Sequence, residues 1–214
     1  MHLFFDLDGT LTDSWPGISA CINHALGNLG RAPEPAVRLR AMIGAPLTAI
    51  FEALLGSTNA VLIDRAVASY RVRFNDVGIF ENRLFPGIAG ALRELHEKGH
   101  ALQVVTAKPA VSAGRVMKHF GLNAFFGAVH GPGLADRSCD KAELVGAALR
   151  LAGGDPRCAI MIGDRADDVL AARARSVRVV AAGWGYGSRE ELAAAGPDFT
   201  AESVDDLVRW IGIH

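Results

Sequence analysis

Cysteine is scarce in this sequence and follows no recognisable pattern. The three cysteines, Cys21, Cys139 and Cys158, are an odd number and have no C-x-x-C spacing. Disulfide frameworks and zinc sites need paired or closely spaced cysteines. The pattern therefore favours reduced thiols in a cytoplasmic protein over either of these arrangements.

An excess of charge of one sign and long apolar runs are also missing. The 22 lysine and arginine residues against 23 acidic residues give a formal net charge of −1, so no general basic field attracts a nucleic acid polymer or an anionic membrane. The chain reaches Asp6 without a basic segment or a long apolar segment, which predicts that no signal peptide is present. No uncharged apolar stretch approaches the roughly 18 residues of a spanning helix. We expect a soluble protein with neither partner.

The first half of the chain reads as one short strand followed by helices. Residues 3–7 form a short apolar run that ends in a polar turn, which predicts a buried strand. From Pro16 to about Gly78 the pattern is helical, with helices predicted at 16–29, 47–55 and 58–77.

Beyond Pro86-Gly87 strands and helices alternate. We predict strands at 101–106, 159–162 and 177–182, and helices at 88–98, 110–120, 141–152 and 167–174. Such alternation implies a parallel sheet with helices on both faces. The predicted fold class is α/β, a doubly wound (Rossmann-like) parallel sheet of residues 1–14 and 84–214, with an all-helical insert of residues 15–83.

Several polar side chains follow the ends of predicted strands. Asp6 and Asp8 end the first strand, Thr106 ends the strand at 101–106, and Gly163-Asp164 ends the strand at 159–162. Open α/β sheets bind ligands beyond the carboxyl ends of their strands. The sequence therefore predicts that these side chains meet at one edge of the sheet.

The spacing of the acidic residues suggests a hard cation. Asp6 and Asp8 are two residues apart, so in a regular strand their side chains would share a face about 7 Å apart. Like charges that close repel each other, and Mg²⁺ between them would relieve the repulsion because it prefers oxygen ligands. Asp164 and Asp168, at i and i+4 of a strand-to-helix turn, are candidates for the remaining ligands.

In order and spacing these segments resemble the motif set of the haloacid dehalogenase superfamily of phosphatases. The matching segments are Asp6-Leu7-Asp8-Gly9-Thr10, Val104-Val105 with Thr106, Lys141, and residues 163–168 with the sequence GDRADD. The helical insert resembles the small helical cap of that family.

The resemblance implies a role for each matching residue. Asp6 would be the nucleophile and Asp8 the general acid and base, while Thr106 would donate to a phosphate oxygen and Lys141 would offset its charge. Of the four lysines, Lys141 fits best because it precedes a helix and lies between the second and fourth motifs, although the segment before it departs from the family pattern.

The same resemblance implies a metal site and a substrate site. The Mg²⁺ ligands would be Asp6, the backbone carbonyl of Asp8, Asp164, and Asp168 either directly or through water. Residues 43–47 (IGAPL) resemble the cap loop that selects substrate in phosphoglycolate phosphatases. The full predicted substrate-binding set is Gly9, Thr10, Thr106, Ala107, Lys141, Ile43, Gly44 and Ala45.

Each residue also has a purely structural interpretation. Asp8-Gly9 is compatible with a simple turn, Asp164 and Asp168 with a helix N-cap and a solvated first-turn charge, and Thr106 with β propensity. Residues 43–47 also fit a helix-breaking turn. Their joint occurrence in this order favours the catalytic interpretation.

Some branches of the superfamily need residues that this sequence lacks, and others lack residues that it has. Asp8 argues against dehalogenases, and the absence of lysine from residues 15–83 argues against hydrolases that form a Schiff base with a cap lysine. Residues 184–192 (WGYGSREEL) are similar to phosphoglycolate phosphatases and 5′-nucleotidase-like relatives. We therefore expect a Mg²⁺-dependent, phosphoglycolate phosphatase-like enzyme that hydrolyses a small phosphorylated metabolite through an aspartyl phosphate. A 5′-nucleotidase, a β-phosphoglucomutase-like mutase and a non-catalytic binding protein stay as alternatives, as do monomer and homodimer.

Overall fold

A computed structural model of the chain describes residues 1–136 and 139–213. Eight strands lie in this part of the chain: β1 (His2–Phe5), β2 (Thr12–Asp13), β3 (Arg83–Leu84), β4 (Ala101–Val105), β5 (Phe126–His130), β6 (Ala159–Gly163), β7 (Arg178–Ala182) and β8 (Phe199–Ala201). The α-helices are α1 (Trp15–Asn28), α2 (Ala36–Arg40), α3 (Leu47–Leu55), α4 (Ala60–Arg73), α5 (Ile88–Glu97), α6 (Ala110–His119), α7 (Lys141–Leu151), α8 (Ala166–Arg173), α9 (Arg189–Ala195) and α10 (Val204–Ile213).

Six of the strands form one parallel sheet in the order β5-β4-β1-β6-β7-β8. The chain starts at the central strand β1, proceeds outward through β4 and β5, and then returns to the other side of β1 for β6, β7 and β8. The strand order therefore reverses beside β1, and the crevice at that reversal is where open α/β sheets bind their ligands. The predicted doubly wound parallel sheet is confirmed.

Both faces of the sheet are covered, as alternation along β1 requires. Phe4 points to one face, where it joins Val105, Met161 and Val179 in a buried cluster. Leu3 and Phe5 point to the opposite face and belong to the larger cluster. Because successive side chains of a strand face opposite sides, an all-apolar strand is buried on both.

Helices α1 to α4 lie between β2 and β3, which pair as a short antiparallel ribbon. The guanidinium of Arg83 on β3 donates to the Asp13 carboxylate on β2, with an Nη2 to Oδ2 distance of 2.8 Å. This ribbon connects the sheet to the helical segment. The predicted domain limits, at residues 14/15 and 83/84, stay a prediction.

Most predicted elements have observed counterparts within a few residues. The predicted helix at 58–77 is observed as α4 followed by a π-helical turn, Phe74–Gly78. The elements α2, β5, β8, α9 and α10 and the ribbon were not predicted. Among the described residues, no single helix is long and apolar enough to cross a membrane; the pair Leu47–Leu55 and Ala60–Gly78, bent by 117°, meets the length and composition test only jointly.

Replacing Phe4 with alanine should reduce the free energy of unfolding strongly. Its side chain is fully buried in the centre of the sheet, and a Phe→Ala change at such a site costs about 3–5 kcal/mol because it leaves a cavity. Urea denaturation measures the effect. Val37→Ala in α2 is the control, since Val37 is 81% exposed and should change stability by less than about 0.5 kcal/mol. Equal effects of the two changes would contradict the assigned burial.

Candidate active site

The chain turns sharply at the end of β1. The Asp6 N–H donates to the Ile162 carbonyl at 2.8 Å, but the Leu7 carbonyl then accepts from the N–H groups of Leu11 and Thr12, at 3.0 and 2.9 Å. The strand therefore ends at Phe5, where the sequence predicted it to continue to residue 7. Because the backbone has turned, strand alternation does not place the side chains of Asp6 and Asp8 on one face.

Three carboxylates converge beyond the ends of β1 and β6. Each of Asp6, Asp164 and Asp168 has a carboxylate oxygen within 4.8 Å of one on each of the others. All three are buried, Asp164 and Asp168 completely. The carboxylate of Asp8 is not part of this cluster.

Burial and mutual repulsion determine the electrostatics of this cluster. Burial, together with the negative charges of Asp168 and Asp6, raises the pKa of Asp164 to about 8, although hydrogen bonds from the Tyr186 N–H and the Thr10 hydroxyl oppose this shift. Burial also raises the pKa of Asp168, although the neighbouring Lys141 opposes this shift. Three ionised carboxylates in this volume require a compensating positive charge.

Lys141 supplies part of that charge. Its Nζ lies 3.1 Å from Asp6 Oδ2 and 2.5 Å from Asp168 Oδ1. Burial alone would lower the pKa of Lys141, but Asp168 and Asp6 outweigh burial and raise it. Lys141 is the first residue of α7. The N-cap residue of this helix, Asp140, accepts hydrogen bonds from the N–H groups of Ala142 and Glu143. The cap thus fixes the start of the helix that presents the ammonium.

One side-chain and one backbone hydrogen bond hold the Asp164 carboxylate in place. The Thr10 hydroxyl donates to Asp164 Oδ1 at 2.9 Å, and the Tyr186 N–H donates to Oδ2 at 2.8 Å. A Cβ at Gly9 or Gly185 would overlap the Asp164 side chain, and Gly9 also has a φ of +93°. Glycine is required at these two positions because only a hydrogen fits beside the carboxylate.

The Asp8 carboxylate contacts a lysine ammonium and not the acidic cluster. Its Oδ2 lies 2.6 Å from the Nζ of Lys108, which follows β4, while its Oδ1 is buried without a hydrogen-bond partner among the described residues. Lys108 is itself buried, and its ammonium lies 5.0 Å from the centre of the Phe74 ring. Lys108 is one of the four lysines among which the family pattern favours Lys141, and that pattern gives Lys108 no role. Its place two residues after Thr106 was the available signal.

Thr106 lies directly after β4 in the same loop. Its N–H donates to the His130 carbonyl at 2.9 Å, and its hydroxyl accepts from the Lys108 N–H at 3.2 Å. This turn directs the Thr106 hydroxyl and the Lys108 ammonium into one cavity.

The side chains of Asp6, Asp8, Thr106, Lys108 and Lys141 line a cavity of about 280 Å³. Its floor includes Asp6, Asp8, Thr106 and Lys141, and its roof is formed by the helical segment between β2 and β3. The roof is largely apolar; its members include Ile18, Ile43, Leu47, Ile50, Val67, Tyr70 and Phe74. The arrangement can bind an anion on the floor beneath an apolar group.

The predicted site residues fall into three groups. Those that line the cavity are Asp6, Asp8, Ile43, Gly44, Ala45, Thr106, Ala107 and Lys141. Asp164 and Asp168 lie behind the floor within the acidic cluster. Gly9 and Thr10, predicted to bind substrate, lie against Asp164.

A divalent cation fits the acidic cluster. Asp6 Oδ1 is buried and lacks a hydrogen-bond partner among the described residues, and it belongs to a set of three carboxylates with a single ammonium beside them. Carboxylate oxygens are the ligands that Mg²⁺ prefers. The donor set therefore matches a hard cation and contains none of the sulfur or imidazole ligands that zinc prefers.

Comparison with known proteins identifies relatives over the whole chain. The model of the family described as haloacid dehalogenase-like hydrolase matches residues 3–182. A Pseudomonas aeruginosa protein named 5′-nucleotidase is 39% identical over 213 residues, covering 100% of this chain and 96% of that protein. A phosphoglycolate phosphatase of Caulobacter vibrioides is 32% identical, with coverage of 95% and 87%. The crystal structure of a predicted phosphatase from Clostridium acetobutylicum superposes with a TM-score of 0.93 at 33% identity, covering 100% and 98%.

Without divalent cations, the free energy of unfolding should fall as the pH rises from about 4 to about 8. The pKa of Asp164 is about 8 in the folded chain, against an ordinary value of 3.8, so within this interval the folded state holds a proton that the unfolded state has lost. The stabilisation is complete below the unfolded-state pKa and is lost through the folded-state pKa, with a slope of up to about 1.4 kcal/mol per pH unit. Denaturant titrations in a chelator measure this slope.

Asp164→Asn is the control for this pH dependence. The amide does not titrate, so the slope between about pH 4 and 8 should become shallower in this variant. A slope unchanged by the substitution would show that Asp164 is not the group that titrates.

Proposed function

We propose that this chain, which belongs to the haloacid dehalogenase-like hydrolase family and is a phosphoric monoester hydrolase, transfers a phosphoryl group to Asp6 and then to water. The observation that carries the proposal is the position of Asp6. Its carboxylate lies at the floor of the cavity, within 3.1 Å of the Lys141 ammonium and beside Asp164 and Asp168. A buried carboxylate with compensating charge around it is suited to attack on an anionic phosphoryl group.

In the proposed first step, an Asp6 oxygen forms a bond to phosphorus and the bond from phosphorus to the leaving oxygen breaks. The Lys141 ammonium and the Thr106 hydroxyl are donors for phosphoryl oxygens at the floor of the cavity. Phosphoryl transfer depends mainly on positioning and electrostatic stabilisation. The fixed ammonium and hydroxyl therefore account for much of what this chain must contribute.

Asp8 is the proposed general acid and base. In the first step it gives a proton to the leaving oxygen, and in the second it takes a proton from the water that attacks the aspartyl phosphate, so it returns to its initial state. The contact with Lys108 holds its carboxylate at the cavity floor. Asp8 lies outside the acidic cluster, so its carboxylate is available for proton transfer.

Mg²⁺ is the proposed cofactor, held by Asp6, Asp164, Asp168 and the backbone carbonyl of Asp8. When bound, it supplies positive charge that reduces the repulsion between Asp6 and the phosphate. Asp164 and Asp168 act by binding it, while Thr10 and Tyr186 orient Asp164 for that purpose.

The proposed substrate is a small phosphorylated metabolite of the phosphoglycolate type. The cavity has a volume of about 280 Å³ and has the helical segment as its roof, which favours small leaving groups. A nucleoside monophosphate is the second candidate. It is favoured by the relative named 5′-nucleotidase at 39% identity and by the apolar roof with Tyr70 and Phe74, which suits a nucleobase better than a carboxylate.

Hydrolysis of a generic aryl phosphate should require Mg²⁺. A chelator should abolish activity because the single charge of Lys141 does not balance Asp6, Asp164, Asp168 and the phosphate, and added Mg²⁺ should restore it. Release of nitrophenol from p-nitrophenyl phosphate measures this. Full turnover in excess chelator would contradict the proposed cofactor.

Asp8→Asn should bind substrate and Mg²⁺ but turn over roughly 10² to 10⁴ times more slowly, since proton transfer contributes about that factor. The variant should also lose one limb of the pH dependence of kcat. Steady-state kinetics over a range of pH measure both effects. A kcat within a few-fold of the parent protein would remove Asp8 from this role.

Changes in the roof and the floor should have different kinetic effects. Substitutions at Ile43, Ala45 or Leu47 should alter the ranking of phosphoglycolate, nucleoside monophosphates and sugar phosphates by kcat/KM, because these residues face the leaving group. Lys141→Ala should lower kcat/KM for all of them by a similar factor, because it contacts only the phosphoryl end. The opposite pattern would disprove this division between leaving-group selection and phosphoryl transfer.

A further inference from the structure

The loop between α2 and α3, residues 41–46 and here termed the roof loop, has a specific attachment to the sheet. Its side chains and backbone line the cavity above Asp6 and Asp8. The loop contains Gly44, whose φ of +101° is a conformation that favours glycine. Its N–H groups make short-range turn bonds, from Ile43 to Arg40 and from Ala45 to Met42. Its attachment to the sheet comes from carbonyl groups.

Arg165 donates to those carbonyl groups. Its Nη1 lies 2.8 Å from the Ile43 carbonyl oxygen and its Nη2 lies 3.4 Å from that of Ala41. Arg165 directly follows Asp164, and its backbone N–H donates to Asp168 Oδ2 at 3.0 Å. One residue thus contacts the acidic cluster through its backbone and the roof loop through its side chain.

Glu191 on α9 fixes the orientation of this guanidinium. Its Oε1 accepts from Arg165 Nε at 2.8 Å and from the Ala166 N–H at 2.9 Å. With Nε bound to a carboxylate on one side, the two terminal nitrogens point to the loop on the other. The rigid planar fork of arginine allows all three bonds at once, whereas a lysine ammonium would have to choose among them.

We propose that Arg165 is a positioning residue that docks the roof loop over the acidic cluster and thereby determines which leaving groups are accepted. The proposal rests on the proposed phosphatase function for its kinetic consequence. Its structural part, that the guanidinium holds the loop, depends only on the contacts described above. Arg165 also lines the cavity, but each of its guanidinium nitrogens is bonded to a loop carbonyl or to Glu191, so we expect its effect to run through the position of the loop.

Other contacts join the helical segment to the sheet elsewhere, and one of them serves as a matched control. Arg115 on α6 donates to the side-chain and backbone oxygens of Asn75, at 2.8 and 2.7 Å. It therefore makes two guanidinium bonds to the helical segment, as Arg165 does, but to the π-helical turn. Removing it tests whether any loss of attachment has the same result.

Hydrogen exchange followed by mass spectrometry tests the docking directly, in the full chain and without substrate. Arg165→Ala should speed amide exchange in peptides covering residues 41–46 by about tenfold or more, equivalent to about 1.4 kcal/mol. The backbone N–H to Asp168 survives this change, so peptides around residues 163–168 should be unaltered. Arg115→Ala should leave residues 41–46 unchanged. Parent-like exchange of the roof loop in Arg165→Ala would overturn the proposal.

Kinetics test the consequence for specificity. In Arg165→Ala, kcat/KM for the preferred metabolite should fall by about tenfold or more relative to p-nitrophenyl phosphate, while half-saturation by Mg²⁺ changes by less than about threefold. Arg165→Lys should recover only part of the discrimination. A uniform loss for all substrates, or a parallel weakening of Mg²⁺ binding, would overturn the specificity role. If the parent protein hydrolyses no phosphomonoester, the proposed function fails, and the exchange measurement still decides whether Arg165 docks the loop.

Discussion

The mutual repulsion of three buried carboxylates is the constraint on which the rest of the site depends. Asp6, Asp164 and Asp168 each have a carboxylate oxygen within 4.8 Å of one on each of the others. The Lys141 ammonium lies beside Asp6 and Asp168. Such a group is costly to bury without compensating charge. The donor set therefore fits a protein that binds a divalent cation there. Burial, and after it the charges of Asp168 and Asp6, raises the pKa of Asp164.

Two adjacent strands and the segment after β7 bring these carboxylates together and hold Asp164 in position. Asp6 and Asp164 follow adjacent parallel strands, β1 and β6, so the sheet itself brings them together. The segment after β7 then closes around Asp164: the Tyr186 N–H binds its carboxylate, and the Trp184 indole donates to the Thr10 carbonyl at 3.0 Å. In the proposed mechanism, phosphoryl transfer takes place at this edge of the sheet, and the helical segment, attached through Arg165 and Arg115, would face the leaving group.

Sequence patterns predict that side chains meet where those side chains directly follow the ends of strands. The apolar runs before Asp6 and Asp164 locate the strands, and the parallel sheet then implies that the two carboxylates meet. Sequence patterns do not predict where the chain departs from a regular element, or which distant residues form a contact. The end of β1 at Phe5 depends on bonds to the Leu7 carbonyl. Lys108 and its partner Asp8 are 100 residues apart, and Arg165 and Ile43 are 122 residues apart. Such contacts arise from tertiary packing, and no local periodicity reports them.

The most direct test of the account is chemical trapping of the proposed intermediate. The protein would be mixed with Mg²⁺ and a phosphomonoester, quenched in acid during turnover, reduced with borohydride and digested for peptide mass spectrometry. Borohydride converts an aspartyl phosphate to homoserine, so the account predicts this conversion at Asp6, dependent on substrate and absent from the Asp6→Asn variant. Turnover without any modification of Asp6, or with modification of a different carboxylate, would contradict the central claim that Asp6 accepts the phosphoryl group.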